Sequence, residues 1–243
     1  FYSYLSVEDA SEPTNFSVPT GNFGDVYAGY LAKKMGLPID KLIVATNQND
    51  ILHRAISKGS YEAEKVSETI SPSMDIQIAS NFERLIFDLN NGDDQQTSLD
   101  MKNIKEKGQY LINDDKLNKI SENFLSARMS EDETLEVIKK VYEKYSVVLD
   151  PHTAIGYGAF DKHNLKGNNI VLATAHPCKF PDAVSKAINL KSDLPKELEF
   201  ILNEKEDYDI VENNLEKIKN YITGKTKWKL KKGNNFQIQN FII

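Results

Sequence analysis

The residues best suited to chemistry form a glycine-bearing turn near the start of the chain. Gly21 and Gly24 lie between a short apolar run and a helix-like stretch that Asn22 or Asp25 would cap. Glycine allows a positive φ and a close approach of the backbone. Such a turn gathers free N–H groups at the positive end of a helix dipole, which suits a phosphate. The pattern therefore indicates either a phosphate-binding loop or a plain turn with a cap.

This turn is neither of the two familiar nucleotide loops. It lacks the Gly-Lys-Ser/Thr ending of a P-loop and the three-glycine spacing of a dinucleotide fold. A phosphate bound here would belong to a different kind of cofactor.

Polar residues also follow two apolar runs that are typical of buried parallel strands. Thr174 and His176 come directly after the run at 169–173, and Asn47–Asp50 follow the run at 41–46. The carboxyl ends of strands are where open α/β sheets bind ligands. Asn49 or Asp50 would equally serve as the cap of a helix that starts at Ile51.

Other kinds of site are disfavoured. The four histidines have no paired spacing, so the sequence predicts no metal site, and we interpret His152 as a structural residue at a helix start. The sequence contains no Gly-x-Ser-x-Gly motif, which a hydrolase with a serine nucleophile would need. The net charge of -6 argues against a nucleic-acid binder, and no apolar run approaches the roughly 18 residues of a membrane span. The single cysteine, Cys178, fits a reducing, cytoplasmic location.

The elements that must position these residues alternate between strands and helices. A strand at Phe16, a helix ending near Gly36 and a strand at 41–46 form a βαβ unit. Ser80 and Glu83 have the spacing of a capping box, and Ser130 to Glu133 open a further helix. Further helices are predicted at 181–190 and from 195 to about 222.

The predicted domain organisation has four parts. Residues 1–89 form an α/β portion with the glycine turn, and residues 90–145 form a polar, lysine-rich helical insertion. Residues 146–223 return to the α/β domain and end in helices. Residues 224–243 form a basic tail, which we expect to be solvated and poorly ordered.

Eight blocks of this sequence, in the same order, resemble the bacterial and fungal branch of the threonine synthase family. Together they extend over roughly residues 16 to 220. The blocks are Pro19–Asp25, Ala28–Gly29, Met35–Pro38, Ala45–Asp50, Ser71–Ile76, Ser80–Arg84, Asp150–Ala154 and Thr174–Phe180.

The resemblance implies part of the tryptophan-synthase-β-like fold, which is fold type II of the enzymes that use pyridoxal 5'-phosphate (PLP). It implies a lyase that converts O-phosphohomoserine and water to threonine and phosphate, as a monomer or a dimer. Thr174 matches the residue whose hydroxyl meets the pyridine nitrogen, and Asn81 and Arg84 are candidates for substrate binding. The residues that match the loop around the PLP phosphate are Gly21, Asn22, Phe23, Gly24 and Asp25.

One departure from the family pattern concerns catalysis. The Schiff-base lysine of the family lies near a Phe-Lys-Asp motif, and this sequence contains no such motif. We expect that lysine upstream of Phe1 and assign no catalytic residue here. The chain is therefore predicted to be the C-terminal part of such an enzyme and to be inactive alone. The residues after Gly224 also depart from the family pattern.

Two alternatives stay open. Another fold-type-II lyase, such as a serine/threonine dehydratase, would leave the Ala175-His176-Pro177 block unexplained, and its phosphate loop is typically richer in glycine. A non-catalytic fragment that binds only an anion would explain the missing lysine.

Overall fold

The computed structural model describes Tyr4 and residues 11–225. The strands are β1 (Thr14–Pro19), β2 (Ile39–Thr46), β3 (Ser60–Glu62), β4 (Gln109–Leu111), β5 (Phe124–Arg128) and β6 (Asn168–Val171). The α-helices are α1 (Gly24–Lys34), α2 (Ile51–Lys58), α3 (Phe82–Leu89), α4 (Asp94–Lys107), α5 (Asp114–Asn123), α6 (Glu131–Tyr145), α7 (Pro151–Asp161), α8 (Pro181–Ile188) and α9 (Leu215–Lys225). Short 3₁₀ helices span Pro72–Met74, Pro177–Lys179 and Lys196–Asn203.

A parallel sheet organises the fold, with strand order β5-β2-β1-β6. Because side chains alternate along a strand, β2 serves two cores. Leu42 and Val44 join a cluster with residues of α1, α2, α3 and α5, whereas Ile43 and Ala45 join a cluster with residues of α7. The sheet is thus covered on both faces, as its continuous apolar run predicts.

The predicted βαβ unit is confirmed as β1, α1 and β2, but the start of α1 differs from the prediction. Neither Asn22 nor Asp25 caps the helix: Phe23 occupies the N-cap position, with φ of 65° and no side-chain cap. The end agrees with the sequence, since α1 stops at Lys34 and Gly36 has a φ of 101°.

The interval 90–145 is not helical throughout, contrary to the prediction. It contains α4, α5 and α6, but β5 also lies there and forms an edge of the main sheet beside β2. The sequence did not indicate this strand, because polar residues surround it and only Phe124 and Ala127 of its residues are buried. The short strand β4 pairs antiparallel with β3 in a separate sheet.

Two of the predicted helix starts have different outcomes. At α3 the capping box is wrong, since Asn81 is the N-cap residue and makes no side-chain cap bond. At α6 the predicted helix start is confirmed: Ser130 is the N-cap residue, and it forms a capping box with Glu133 in both directions.

Two later elements are weaker than predicted. β6 is a partly exposed edge strand that pairs with β1, not a buried one. The helix predicted from 195 to about 222 divides into the 3₁₀ helix Lys196–Asn203 and α9, because residues 204–214 are not helical.

The chain divides into two compact units, Phe1–Leu194 and Pro195–Ile243. The predicted boundaries at 90 and 146 stay predictions, and nearly all of the predicted tail lies outside the described residues. Across the described part, none of the helices is long and apolar enough to cross a membrane.

Candidate functional site

The glycine turn lies at the carboxyl edge of the sheet, directly after β1. The Thr20 amide donates to the carbonyl of Ala45 at 2.8 Å, which ties the turn to the end of β2. The turn then runs into α1, whose first N–H groups have no partner within the helix. The free amides at this helix start therefore create a region of positive potential that suits an anion.

Close approach, and not a positive φ, explains the two glycines. Neither is among the residues with positive φ. A Cβ on Gly21 would lie 2.7 Å from the backbone oxygen of Ser73, and a Cβ on Gly24 would lie 3.1 Å from the side-chain nitrogen of Asn81. The predicted close approach is confirmed, whereas the predicted positive φ at these glycines is wrong, because Phe23 has it instead.

The left-handed residue of the turn is Phe23. A bulky residue seldom adopts a positive φ, so the surrounding structure must enforce it. Its ring is fully buried and packs edge-on against Phe82, with centroids 5.1 Å apart, and against Phe124 at 5.8 Å. These contacts anchor the turn in the core.

A cavity of about 260 Å³ opens over this turn. Asn81, at the start of α3, is the residue outside the turn that lines it. Asp25 can offer its backbone amide here, whereas its carboxylate would repel a phosphate. The remaining lining residues are Pro19, Thr20, Gly21, Asn22, Phe23 and Gly24.

The segment from Thr69 to Asn81 wraps around the turn. Ser73 lies against Gly21, as described above, and the amide and hydroxyl of Ser80 both donate to the side-chain oxygen of Asn22. The side-chain oxygen of Asn22 therefore contacts protein, whereas its backbone amide lies at the cavity over the turn.

A buried hydrogen-bond cluster fixes this wrapping segment, and sequence reasoning missed it. One carboxylate oxygen of Asp75 accepts from the side chains of Asn47, Asn49 and Thr69 at 2.8, 2.9 and 2.6 Å. Asn47 and Asn49 thus support a neighbouring loop. Asp50 is the N-cap residue of α2 without a side-chain cap bond, and its carboxylate pairs with Arg54 at 2.8 Å.

Arg84 lies in a neighbouring cavity of about 490 Å³, which Asn81 also lines. Its guanidinium carbon is 5.9 Å from the ring centroid of Tyr27. Burial, together with the adjacent Asp88, raises the pKa of Tyr27 to about 12. The structure thus brings Asn81 to the glycine turn and places Arg84 one helical turn away.

Thr174 follows β6 at the same edge of the sheet as the glycine turn. Ser17 of β1 pairs with Val171 of β6, so three residues further on each chain segment leaves the sheet beside the other. Thr174 is exposed, and its amide donates to the hydroxyl of Thr153 at 3.4 Å. His176 caps the short helix after it, where its ring accepts from the Cys178 amide.

Thr153 belongs to a buried group at the start of α7. Asp150 is the N-cap residue, and its carboxylate accepts from the Nδ1 of His152 at 2.9 Å and from the Thr153 hydroxyl. Burial raises the pKa of Asp150, but the hydrogen bonds from His152 and Thr153 outweigh that effect and hold it below its usual value. An Asp directly before a Pro is a signal for this cap in the sequence.

Similarity to known proteins decides the family. A family model described as "Threonine synthase, C-terminal" matches residues 153–222. Threonine synthase of Pseudomonas aeruginosa is 40% identical over 92% of this chain, and that of Saccharomyces cerevisiae is 42% identical over 89%. The chain belongs to the threonine synthase family.

Threonine synthases of known structure share the fold as well. The crystal structure of PLP-bound threonine synthase from Brucella melitensis has a TM-score of 0.86 and 42% identity over 92% of this chain and 48% of that one. The yeast threonine synthase structure has a TM-score of 0.81 and 41% identity over 91% of this chain and 49% of that one. The predicted fold type II is confirmed.

The match to these threonine synthases is partial in length. The chain spans about half the length of the curated relatives it matches, 48% of the Pseudomonas aeruginosa protein and 49% of the yeast protein.

Among residues 11–225 and Tyr4, no cluster of three His, Cys, Asp or Glu residues could hold a metal ion.

Proposed function

We propose that this chain supplies the phosphate-binding and ring-binding side of a PLP-dependent threonine synthase. The reaction would be elimination of phosphate from O-phosphohomoserine, followed by addition of water to give threonine. The observation that carries the proposal is the cradle formed by Gly21 and Gly24 at the start of α1, where an added Cβ would meet neighbouring atoms.

The residues of this cradle fit the PLP phosphate. The backbone of Gly21, Asn22, Phe23, Gly24 and Asp25 lines a cavity that the helix dipole makes favourable for an anion. When bound, PLP supplies the electron sink for proton removal next to the substrate amine.

Thr174 would place its hydroxyl at the pyridine nitrogen. Its side chain is exposed at the sheet edge while its amide is held by Thr153, so the hydroxyl is free to meet a ligand. A neutral hydroxyl does not keep the ring nitrogen protonated, which moderates electron withdrawal and leaves proton transfer to a base of the enzyme.

Asn81 and Arg84 are the proposed contacts to the substrate. Asn81 lines both the cradle cavity and the adjacent larger one, and Arg84 lines the second. A guanidinium suits a phosphate because it donates two parallel hydrogen bonds. Glu83 and Asp94 line the same larger cavity, and their carboxylates would repel any further negative charge on a ligand there.

Binding of PLP compared with pyridoxal tests the cradle. Pyridoxal lacks the phosphate, so we expect PLP to bind this chain at least tenfold more tightly in a fluorescence titration. Equal affinity for the two compounds would contradict the proposed role of Gly21–Asp25.

Phosphate release separates the catalytic proposal from its alternative. The absence of a Phe-Lys-Asp motif favours a chain that binds an anion without turning over O-phosphohomoserine. We expect no phosphate release by this chain with PLP, and release by the complete product of its gene. Absence of release from both would support the non-catalytic alternative.

A further inference from the structure

The carboxylate of Asp150 orients two successive side chains in the first turn of α7. It accepts from the ring Nδ1 of His152 at 2.9 Å and from the hydroxyl of Thr153. An ionised carboxylate only accepts hydrogen bonds, so the hydroxyl proton and the ring proton both point toward Asp150. The Asp150 side chain is 1% exposed, which excludes water as a competing donor.

Both oriented side chains contact the segment that follows β6. Because the Thr153 hydroxyl gives its proton to Asp150, its oxygen is available to accept, and the amide of Thr174 donates to it at 3.4 Å. The ring of His152 packs against Phe180, with centroids 4.8 Å apart. The segment from Thr174 to Phe180 is therefore supported near both of its ends by one helical turn.

The imidazole ring of His152 forms a hydrogen bond from Nδ1 to the carboxylate of Asp150. The other ring nitrogen, Nε2, is buried and has no hydrogen-bond partner among the residues that the structure describes. With Nδ1 donating to Asp150, the ring is fixed in one orientation, tilted by 55° against the ring of Phe180. The ring thus acts as a packing surface of fixed orientation.

We propose that Asp150, acting through Thr153 and His152, is a positioning residue for the segment Thr174–Phe180. It fixes the backbone of Thr174 at the carboxyl edge of the sheet and leaves the Thr174 hydroxyl free for a ligand. The identity of that ligand as the PLP ring rests on the proposed function, whereas the positioning itself does not.

Amide hydrogen exchange of peptide 172–180 tests the positioning in this chain without any cofactor. Thr153→Val keeps the shape of the side chain and removes the oxygen that accepts from Thr174. Loss of one hydrogen bond is expected to speed exchange in this peptide about fivefold. Thr153→Ser keeps the hydroxyl and should exchange as the parent does.

A matched control is Thr134→Val. Thr134 is also buried near a helix start, and its hydroxyl donates to the carbonyl of Ser130 at 2.7 Å on α6. We expect this change to leave exchange in 172–180 unaltered. Should Thr153→Val prevent folding, Phe180→Leu removes the second support and is expected to speed the same peptide. Unchanged exchange in a folded Thr153→Val or Phe180→Leu variant would overturn the proposal.

The absorption spectrum of bound PLP distinguishes this inference from the proposed function. If Thr174 meets the ring, Thr174→Ala and Thr153→Val should both alter the spectrum of the PLP-loaded complete gene product. If Thr153→Val speeds exchange in peptide 172–180 but Thr174→Ala leaves the PLP spectrum unchanged, the ring contact is refuted and the positioning is supported. Exchange that does not respond would refute the positioning whatever the spectrum shows.

Discussion

At the scale of single residues, the glycines of the turn allow close approach, whereas Phe23 adopts the positive φ. Gly21 and Gly24 make room for the backbone of Ser73 and the side chain of Asn81. Phe23 adopts the left-handed conformation and is held there by buried aromatic contacts. A strained backbone persists only where its surroundings over-determine it, which is the case here.

The first prediction compares two glycine substitutions in this turn. Gly21→Ala forces a Cβ to within 2.7 Å of the Ser73 backbone oxygen, whereas Gly24→Ala meets a side-chain nitrogen of Asn81 that can move. We expect Gly21→Ala to lower the free energy of unfolding by about 1–3 kcal/mol and to weaken PLP binding. Gly24→Ala should cost less in both urea unfolding and titration. Equal effects of the two changes would contradict the contact geometry.

At the scale of elements, the wrapping segment Thr69–Asn81 links the two strand ends of the site. Asp75 joins it to Asn47 and Asn49 at the end of β2, and Ser80 joins it to Asn22 after β1. The shape of the turn therefore depends on a carboxylate outside the turn itself.

The second prediction concerns that carboxylate. Asp75→Ala removes the acceptor that the side chains of Asn47, Asn49 and Thr69 share, which is expected to cost about 1–3 kcal/mol. PLP affinity should fall as well, because the support of Gly21 loosens. Asp115→Ala, at an exposed position in α5, is the matched control and should change the free energy of unfolding by about 0.5 kcal/mol or less. Urea unfolding and PLP titration of both variants provide the measurement.

The third prediction gives the capping box of α6 a pH dependence. The hydrogen bond from Lys162, followed by that from the Ser130 amide, lowers the pKa of Glu133 from its ordinary value of 4.5. A carboxyl with a lowered pKa stabilises the fold above its unfolded pKa, and this contribution is lost as pH falls through the lower, folded value.

Two variants separate the parts of that box. Glu133→Gln keeps a capping side chain but loses the charge, so we expect a cost of about 0.2–1 kcal/mol at pH 7 that shrinks as pH falls below 4.5. Ser130→Ala should cost about 1 kcal/mol at pH 7. Urea unfolding at pH 7 and at a series of acidic pH values is the measurement, and a Glu133→Gln cost that does not change with pH would contradict the role of the charge.

At the scale of the whole molecule, the two compact units differ in how they bury side chains. The unit Phe1–Leu194 contains both apolar clusters. In the unit Pro195–Ile243, no described residue is buried, and Phe200, Leu202 and Ile210 are among its exposed apolar side chains. Segments with little buried area open at low free-energy cost.

The fourth prediction follows from that difference. Limited proteolysis should cut first within residues 204–214, which join the 3₁₀ helix Lys196–Asn203 to α9 without helical structure. The product that contains residues 11–194 should persist. Mass spectrometry of a time course identifies the cuts, and early cleavage inside β1 or β2 would contradict the prediction.

Much of the fold follows from the sequence where local signals and tertiary packing agree. The apolar run of β2 and the helix start at Ser130 are such cases, and both predictions are confirmed. β5 escaped prediction because its exposed neighbours mask a short strand whose pairing with β2 is non-local. The Asp75 cluster and the bond from Thr174 to Thr153 escaped because hydrogen bonds between distant segments leave no periodic signal, whereas the Asp150 cap has a local signal in the Asp-Pro pair. The roles of Gly21–Asp25, Asn81, Arg84 and Thr174 stay predictions.

The position of Phe23 ties ligand binding to the interior of the protein. Its backbone shapes the cradle while its ring packs among Phe82 of α3 and Phe124 of β5. A screen for variants with altered affinity would therefore recover substitutions at these interior positions, far along the chain from the cradle. Conversely, a bound phosphate compound would raise the melting temperature, since a ligand that binds only the folded state shifts the unfolding equilibrium. Selection for affinity and selection for heat resistance would then act on the same aromatic residues.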